Sequence, residues 1–481
     1  MRNTKIVCTL GPASDGRETI QALTDAGMSV ARVNGNHGTP DHRRDVIDRV
    51  RAVDAASNRS VAVLHDLPGP KIRTVPMDGT IQLAVGSTVR YIKGAETTGD
   101  TIGLSHDITA VSAGDRVLLD DGRIETTVDS VDDGVVTATV RNSEELSGRK
   151  GVIVPGVELG LPQITERDKG ELDVAAEKSV DFVAASFVRD GESVETVSAA
   201  LADRGAEIPV IAKIERGVAV RNLAGIIEAA DGVMVARGDL GVELPLEDVP
   251  ILQKRIIRTC QRAGVPVITA TEMLESMITN RRPTRAEASD VANAVMDGTD
   301  AVMLSGETAV GDHPVTVVDT MDRIVRRVEG TDESAEAIDR HVPPVDETRM
   351  DALANAARPL GRDVDARALV VATESGTTAR KAAKFRPPLP IVASTPDDTV
   401  RRQLTLSWGT VPVTAPYASG QSDAVVDVAV RSALETTRVD GGDTVIVIAG
   451  TMSELDEGNP ANTLKIHTAE DGSVDHPETS Q

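Results

Sequence analysis

Eight short apolar runs, separated by segments of helical periodicity, constrain this chain more than any other feature. They are Thr4–Leu10, Ser29–Val33, Val61–Asp66, Asp181–Ser186, Pro209–Glu215, Gly232–Ala236, Pro266–Thr271 and Ala301–Ser305. Each is continuous rather than alternating, the pattern of a parallel strand buried on both faces. Amphipathic segments lie between most of them, Val249–Ala263 and Arg285–Met296 being the clearest. Such strand–helix repetition predicts a (β/α)8 TIM barrel, with its chemistry at the C-terminal ends of the strands.

One connection breaks the rhythm. After the third run comes Pro68-Gly69-Pro70 and no helix. Instead, Thr74–Ser147 carries the short β-rich runs Ile81–Val85, Thr88–Ile92, Arg116–Leu119 and Val135–Val140 between Gly and Asp turns. This predicts an inserted small β-barrel domain at 67–154, returning through Val154-Pro155-Gly156. Proline at both junctions gives semi-rigid hinges on which the insert can close over the barrel as a lid. The barrel then occupies 1–66 and 155–330. The polar stretch Gly330–Glu347 reads as a linker. An open α/β domain of regulatory type follows at 345–470, with strands at Arg367–Ala372, Pro390–Ser394, Thr444–Ala449 and Thr463–His467. Residues 471–481 are expected to be a disordered tail.

Charge limits the partners. Lys and Arg number 51 against 75 Asp and Glu, a formal net charge of −24 over 481 residues. No basic stripe is available to release counterions, which argues against nucleic acid. An anionic substrate therefore needs a local cluster of Arg and Lys. The dispersed carboxylates and the scarcity of aromatic residues (Phe 3, Tyr 2, Trp 1) point to adaptation to high salt, where a dense acidic surface stays hydrated. Cys8 and Cys260 lie in apolar contexts and read as buried free thiols. No apolar run reaches membrane-spanning length and no signal peptide is evident, so the expected location is cytoplasmic.

Charged clusters stand where a barrel places its active-site loops: Arg32–Gly38, Asp66–Arg73, Lys213-Ile214-Glu215, Ala236–Gly241 and Thr271–Leu274. Charges within apolar strands are costly unless paired or bound to something. Lys213 and Glu215 are two apart and point the same way. Glu215 and Asp239, on adjacent strands, can share a hard divalent cation, most simply Mg2+, completed by water and substrate oxygens. Gly238 leaves backbone N–H groups open to a carboxylate. A Lys213–Glu215 ion pair closing the barrel rim is the plainer alternative, but it leaves the other clusters unexplained. In the C-terminal segment, Thr373-Glu-Ser-Gly-Thr-Thr-Ala-Arg380 joins a strand to a helix. Its hydroxyls and N–H groups at Thr373, Ser375, Gly376, Thr377 and Thr378 can form a phosphate nest or an ordinary capped turn.

The motifs resemble those of the pyruvate kinase family. They are Ala31-Arg-Val-Asn34 with His37-Gly38, the Asp66–Arg73 loop, Lys213-Ile-Glu215, Met234–Gly241, Ala270–Met277, Arg282–Glu287 and Met303–Ala309. The resemblance runs over nearly the whole chain, and it implies Mg2+- (or Mn2+-) dependent transfer of the phosphoryl group of phosphoenolpyruvate to ADP, giving pyruvate and ATP. It implies Glu215 and Asp239 as metal ligands, and Lys213 and Arg73 as stabilisers of the transition-state charge. Arg32, Lys213, Gly238, Asp239 and Thr271 would hold substrate, and Thr271 with Ser305 nearby would belong to proton delivery. Arg32, Asn34, His37 and Arg73 would bind nucleotide, with Asp121 and Lys150 reaching over from the lid. Turn chemistry in Leu119-Asp-Asp-Gly122 accounts for Asp121 equally well. A second class, another metal-dependent phosphoenolpyruvate or pyruvate barrel of aldolase or mutase type, needs neither lid nor Arg73.

Departures from the family pattern gather at the monovalent-cation loops. Asn34 and Asp66 are retained, Asn36 stands for Ser, Leu67 for Thr, and Lys71 for an acid. An ammonium at Lys71 would supply locally the charge that K+ brings in many members, so catalysis without obligatory K+ is expected. Val310 replaces a Lys that would contact phosphate. The resemblance further implies a phosphorylated effector at the Thr373–Thr378 nest and a homotetramer.

Overall fold

The strands are built from small and β-branched residues, which pack well on a pleated surface covered from both sides. In this computed structural model they are β1 (Lys5–Leu10), β2 (Val30–Asn34), β3 (Ala62–Asp66), β4 (Phe182–Ala185), β5 (Val210–Ile214), β6 (Gly232–Ala236), β7 (Val267–Ala270) and β8 (Ala301–Leu304). The structure describes residues 2–345, 348–416, 422–436, 438–449 and 463–469. Each strand pairs in parallel with the next, and β8 closes onto β1 through Lys5↔Ala301 to Cys8↔Leu304. Side chains alternate between two cores: Val7, Leu64, Ile211 and Met234 fill the barrel, while Ile6, Cys8, Val63 and Val235 face the helices. Cys8 and Cys260 are free and buried, as expected.

The insert is a barrel in its own right. Its strands run from Ile72–Arg73 to Gly151–Ile153 in a seven-stranded sheet, with a two-stranded ribbon beside it. The sheet closes where Ser105 N donates to Arg73 O at 2.8 Å and Val75 N to Gly103 O at 2.9 Å, around the Thr74↔Leu104 bridge. Its longest strand, Ile124–Asp132, escaped the sequence reading. It alternates buried Ile124, Thr126 and Val128 with half-buried Glu125 and Thr127, so it lacks a continuous apolar run. At the outgoing hinge Gly69 adopts φ +70°, and a Cβ there would stand 2.7 Å from Ser186 Cβ and 2.9 Å from Phe187 Cδ2. The hinge is therefore wedged against the end of β4.

The C-terminal sheet has five strands, one more than expected. Thr410–Thr414 lies at its edge, where Pro412 interrupts no interior ladder. The stretch read as a linker is mostly a helix, Asp332–His341, because Thr331 caps it by accepting Ser334 N and Ala337 packs down. The tail expected at 471–481 lies outside the described residues.

This domain docks on the barrel end opposite the active-site loops. Arg401 pairs with Asp54 at 2.8 Å, Arg402 with Asp181 at 2.9 Å and Arg386 with Asp300 at 2.8 Å. Leu406 plugs the barrel interior from below. At the same junction the Lys5 ammonium donates to Thr410 O at 2.5 Å. Burial, then the charge of Arg2, push its pKa down to about 7, whereas an unfolded Lys holds its proton to about 10.4. The unfolded chain thus binds more protons above pH 7, and this residue makes stability rise with pH there. The buried thiols, raised by burial, oppose the trend only beyond their free value of about 8.5. Between pH 7 and about 8.5 the melting temperature of Lys5→Met should therefore rise less than that of wild type. Parallel curves would refute the assignment.

Candidate active site

Lys213 is the hub of the barrel mouth. Its strand position in β5 aims it inward, where its ammonium contacts Ser186 Oγ at 2.7 Å, Glu215 Oε1 at 2.8 Å and Asp66 Oδ1 at 3.2 Å. Burial alone would lower its pKa, but Asp66 and then Glu215 reverse this and the net shift is upward. The ammonium therefore stays charged. Asp66 is buried too; Arg32, at 2.6 Å, and then Lys213 outweigh the cost of burial and hold its carboxyl below the ordinary value. Arg32 also donates to Thr9 Oγ1 at 2.9 Å. Three elements, β2, β3 and β5, are thus tied by one alternating chain of charges.

Glu215 directly follows β5, whereas Asp239, expected on the adjacent strand, lies in the first turn of the helix Arg237–Glu243 that follows β6. Both stand on the wall of an open cleft of about 720 Å³ between lid and barrel, which Lys71 and Phe187 also line. Burial raises the Glu215 pKa, Lys213 counters it, and Asp239 adds to the rise. A buried carboxylate with a second carboxylate beside it is chemically suited to a divalent cation. Glu215 is further oriented by the Phe187 N–H, which donates to Oε2 at 2.6 Å. Among the described residues no group of three or more His, Cys, Asp and Glu side chains is placed to hold a metal ion. The pair fits a cation that takes its remaining ligands from water and substrate. The Lys213–Glu215 ion pair weighed as a rim closure does exist, but as one arm of this larger network.

Thr271 and Glu272 adopt φ +66° and +54°, a conformation costing a β-branched residue roughly 1–3 kcal/mol. Arg237 enforces it by donating to Ala270 O at 3.1 Å and Thr271 O at 2.7 Å, while Asp290 holds its other arm at 2.6 Å. The Thr271 hydroxyl consequently accepts the Gly238 N–H at 2.8 Å. That N–H, expected to stand open, is occupied by this neighbour, and a ligand carboxylate would have to take it over. Glu307, fully buried, receives Ser305 N at 2.6 Å and Leu274 N at 3.1 Å, joining the loops after β7 and β8. Among the described residues Ser305 Oγ is buried and finds no hydrogen-bond partner.

The strand-two loop lies beside this centre. Asn34 Oδ1 accepts Asn36 N at 3.0 Å, and His37 is exposed. At the lid strand Ile72–Arg73 that follows β3, Arg73 and the preceding Lys71 are half-buried; Arg73 donates to Arg149 O at 3.1 Å and Lys71 approaches Asp121 at 3.5 Å. Asp120, Asp121 and Gly122 all have positive φ in the hairpin between Arg116–Leu119 and Ile124–Asp132. Turn geometry therefore accounts for this stretch, and Lys150 pairs with Asp120 at 2.8 Å rather than with Asp121. Of the residues expected around a monovalent cation, Asp66 is engaged by Arg32 and Lys213, and Leu67 is buried in the apolar core.

The barrel-domain profile of pyruvate kinase matches residues 1–318, and its alpha/beta-domain profile matches residues 351–467. A pyruvate kinase of Mycobacterium tuberculosis (strain CDC 1551 / Oshkosh) is 44% identical over 478 residues, covering 98% of this chain and 99% of that protein. One of Staphylococcus aureus (strain USA300) is 43% identical over 477 residues, covering 98% of this chain and 81% of that protein. The chain belongs to the pyruvate kinase family. It is accordingly an enzyme of the phosphotransferase class, and the aldolase or mutase alternative finds no such support.

Within this pyruvate kinase fold, sequence reasoning overlooked Ser186, Phe187, Arg237 and Glu307. Ser186 read only as a strand end and Phe187 acts through its backbone, but Arg237 and Glu307 are charges inside quoted motifs and could have been found. At the C-terminal turn, Gly376 N donates to Thr373 Oγ1 at 3.0 Å, and Arg380 contacts Thr377 Oγ1 at 3.3 Å beside the helix Thr377–Lys384. Thr378 is buried, whereas Ser375 is exposed. No helix among the described residues is long and apolar enough to cross a membrane.

Proposed function

We propose that the cluster around Lys213 transfers the phosphoryl group of phosphoenolpyruvate to ADP, giving pyruvate and ATP in the last step of glycolysis. One observation carries this reading: an ammonium held by Asp66, Ser186 and Glu215 beside a carboxylate pair. Lys213 faces the charge that develops on the transferring group, with Arg73 completing the stabilisation from the lid. Mg2+ (or Mn2+) held by Glu215 and Asp239 would neutralise phosphoryl and enolate oxygens as a Lewis acid. The Asp239 N–H, the Gly238 N–H once released from Thr271, and the Thr271 hydroxyl grip the substrate carboxylate, Arg32 helps bind it, and Thr271, together with Ser305, passes the proton to the enolate. Arg32, Asn34, His37 and Arg73 hold the nucleotide, and lid closure brings Asp121 and Lys150 over it.

We further propose that K+ is dispensable. Asp66 already carries two cationic partners, Leu67 offers no side-chain oxygen and its carbonyl already accepts the Ser186 hydroxyl at 2.8 Å, and Lys71 lines the cleft wall. In tetramethylammonium chloride at matched ionic strength, turnover should stay within about twofold of that in KCl, since an ammonium on the chain replaces the ion. Loss of turnover there would end the proposal. The acidic composition supports a high-salt cytoplasm as the working environment, and the melting temperature should climb across a KCl series as repulsion is screened; a flat or falling series counts against it. The Thr373–Thr378 turn is the place for a phosphorylated effector, and assembly as a homotetramer follows the family.

A further inference from the structure

Helix Glu166–Glu177 begins where the lid's return segment ends, capped by the reciprocal Thr165–Asp168 pair. Its first turns reach both loops that frame the barrel mouth. Asp168 Oδ1 accepts the Gly69 N–H of the outgoing hinge at 2.9 Å, and Arg167 donates to Gly35 O at 2.8 Å. Deeper in, Glu171 holds Arg43 on one oxygen and His65 Nε2 on the other, the latter at 2.9 Å. Arg43 then donates its Nη1 to His37 O at 2.5 Å.

All three side chains are buried: Arg43 is 3% exposed, Glu171 2% and His65 0%. Burial opposes the charge of Glu171, but the His65 hydrogen bond and the Arg43 charge hold its carboxyl below the ordinary value. Burying such a network adds little net stability, because desolvation offsets the attraction; its benefit lies in fixing one geometry. The fixed geometry here is that of the strand-two loop. A Cβ on Gly35 would stand 2.8 Å from Asp66 O and 3.3 Å from Glu171 Cγ, so the loop rests directly on this platform. Residues 65 and 66 divide the work by alternation: Asp66 binds Arg32 and Lys213 inside the barrel, and His65 binds Glu171 behind it.

We infer that Arg43, held by Glu171 and His65, is a positioning residue for the nucleotide: it fixes the His37 carbonyl and with it the Asn34–His37 loop. The inference rests on the assignment of that loop to ADP. Arg32 has its own anchors at Asp66 and Thr9, so the phosphoenolpyruvate side should be untouched. Arg43→Lys retains a cation beside Glu171, but an ammonium cannot span carboxylate and carbonyl as the guanidinium fork does. The KM for ADP should rise about tenfold, while kcat and the KM for phosphoenolpyruvate stay within about twofold. Glu171→Gln, nearly isosteric, should reproduce that split. His37→Ala, which keeps the carbonyl, separately tests the loop's assignment to ADP. If His37→Ala raises the KM for ADP and Arg43→Lys does not, the positioning role is wrong and the assignment stands. If neither raises it, both fall. An equal rise in both KM values, or a collapsed melting temperature in Arg43→Lys and Glu171→Gln alike, makes the network structural only and overturns the inference.

Discussion

Lys213→Met should lower kcat by roughly three orders of magnitude, the scale seen when a preorganised charge is removed from a water-poor site. The loss has two parts. The ammonium proposed to face the transferring phosphoryl group disappears, and Glu215 and Asp66 lose the cation between them. Asp66 keeps Arg32 at 2.6 Å and should remain ionised. Glu215, whose pKa burial already pushes up, loses its main compensating charge and should tend to take up a proton, weakening the metal site as well. Pyruvate formation at saturating substrates and Mg2+, with circular dichroism to confirm folding, measures the effect. Near-normal turnover would remove Lys213 from the mechanism.

Glu215→Gln should raise the Mg2+ concentration needed for half-maximal activity by at least about a hundredfold, beyond what loss of an outer-shell partner costs. The amide oxygen can still accept the Phe187 N–H now bound at 2.6 Å, so the local backbone should hold. What would be lost is one of the two carboxylates proposed to hold the cation. Direct Mn2+ binding, followed by electron paramagnetic resonance, should weaken in parallel without any turnover being required. Unchanged metal affinity in both measurements would place the cation elsewhere.

The barrel was legible because a strand covered on both faces must be continuously apolar, as Val210-Ile211-Ala212 and Gly232–Ala236 are. Where one face meets solvent or the strand lies at an edge, the signal fades. Ile124–Asp132 alternates and Thr410–Thr414 contains Pro412, and both were passed over. The helix Asp332–His341 was taken for linker because its acidic composition masks a capped start at Thr331 and the small buried face of Ser334 and Ala337.

At the site, Lys213, Glu215 and Asp239 were readable because a charge in an apolar strand demands a partner. The sequence by itself determined the strand–helix order, the lid insertion and the gathering of charged residues at one end of the barrel strands, since periodicity and turn residues are local. Only the tertiary structure decided who meets whom: Ser186 with Lys213, Arg237 behind Thr271, Lys150 with Asp120 instead of Asp121, and Glu171 between His65 and Arg43. Such pairings depend on which strand ends and helix turns close the barrel side by side. Residues 27 to 128 positions apart come within hydrogen-bond reach there, separations that no local pattern encodes.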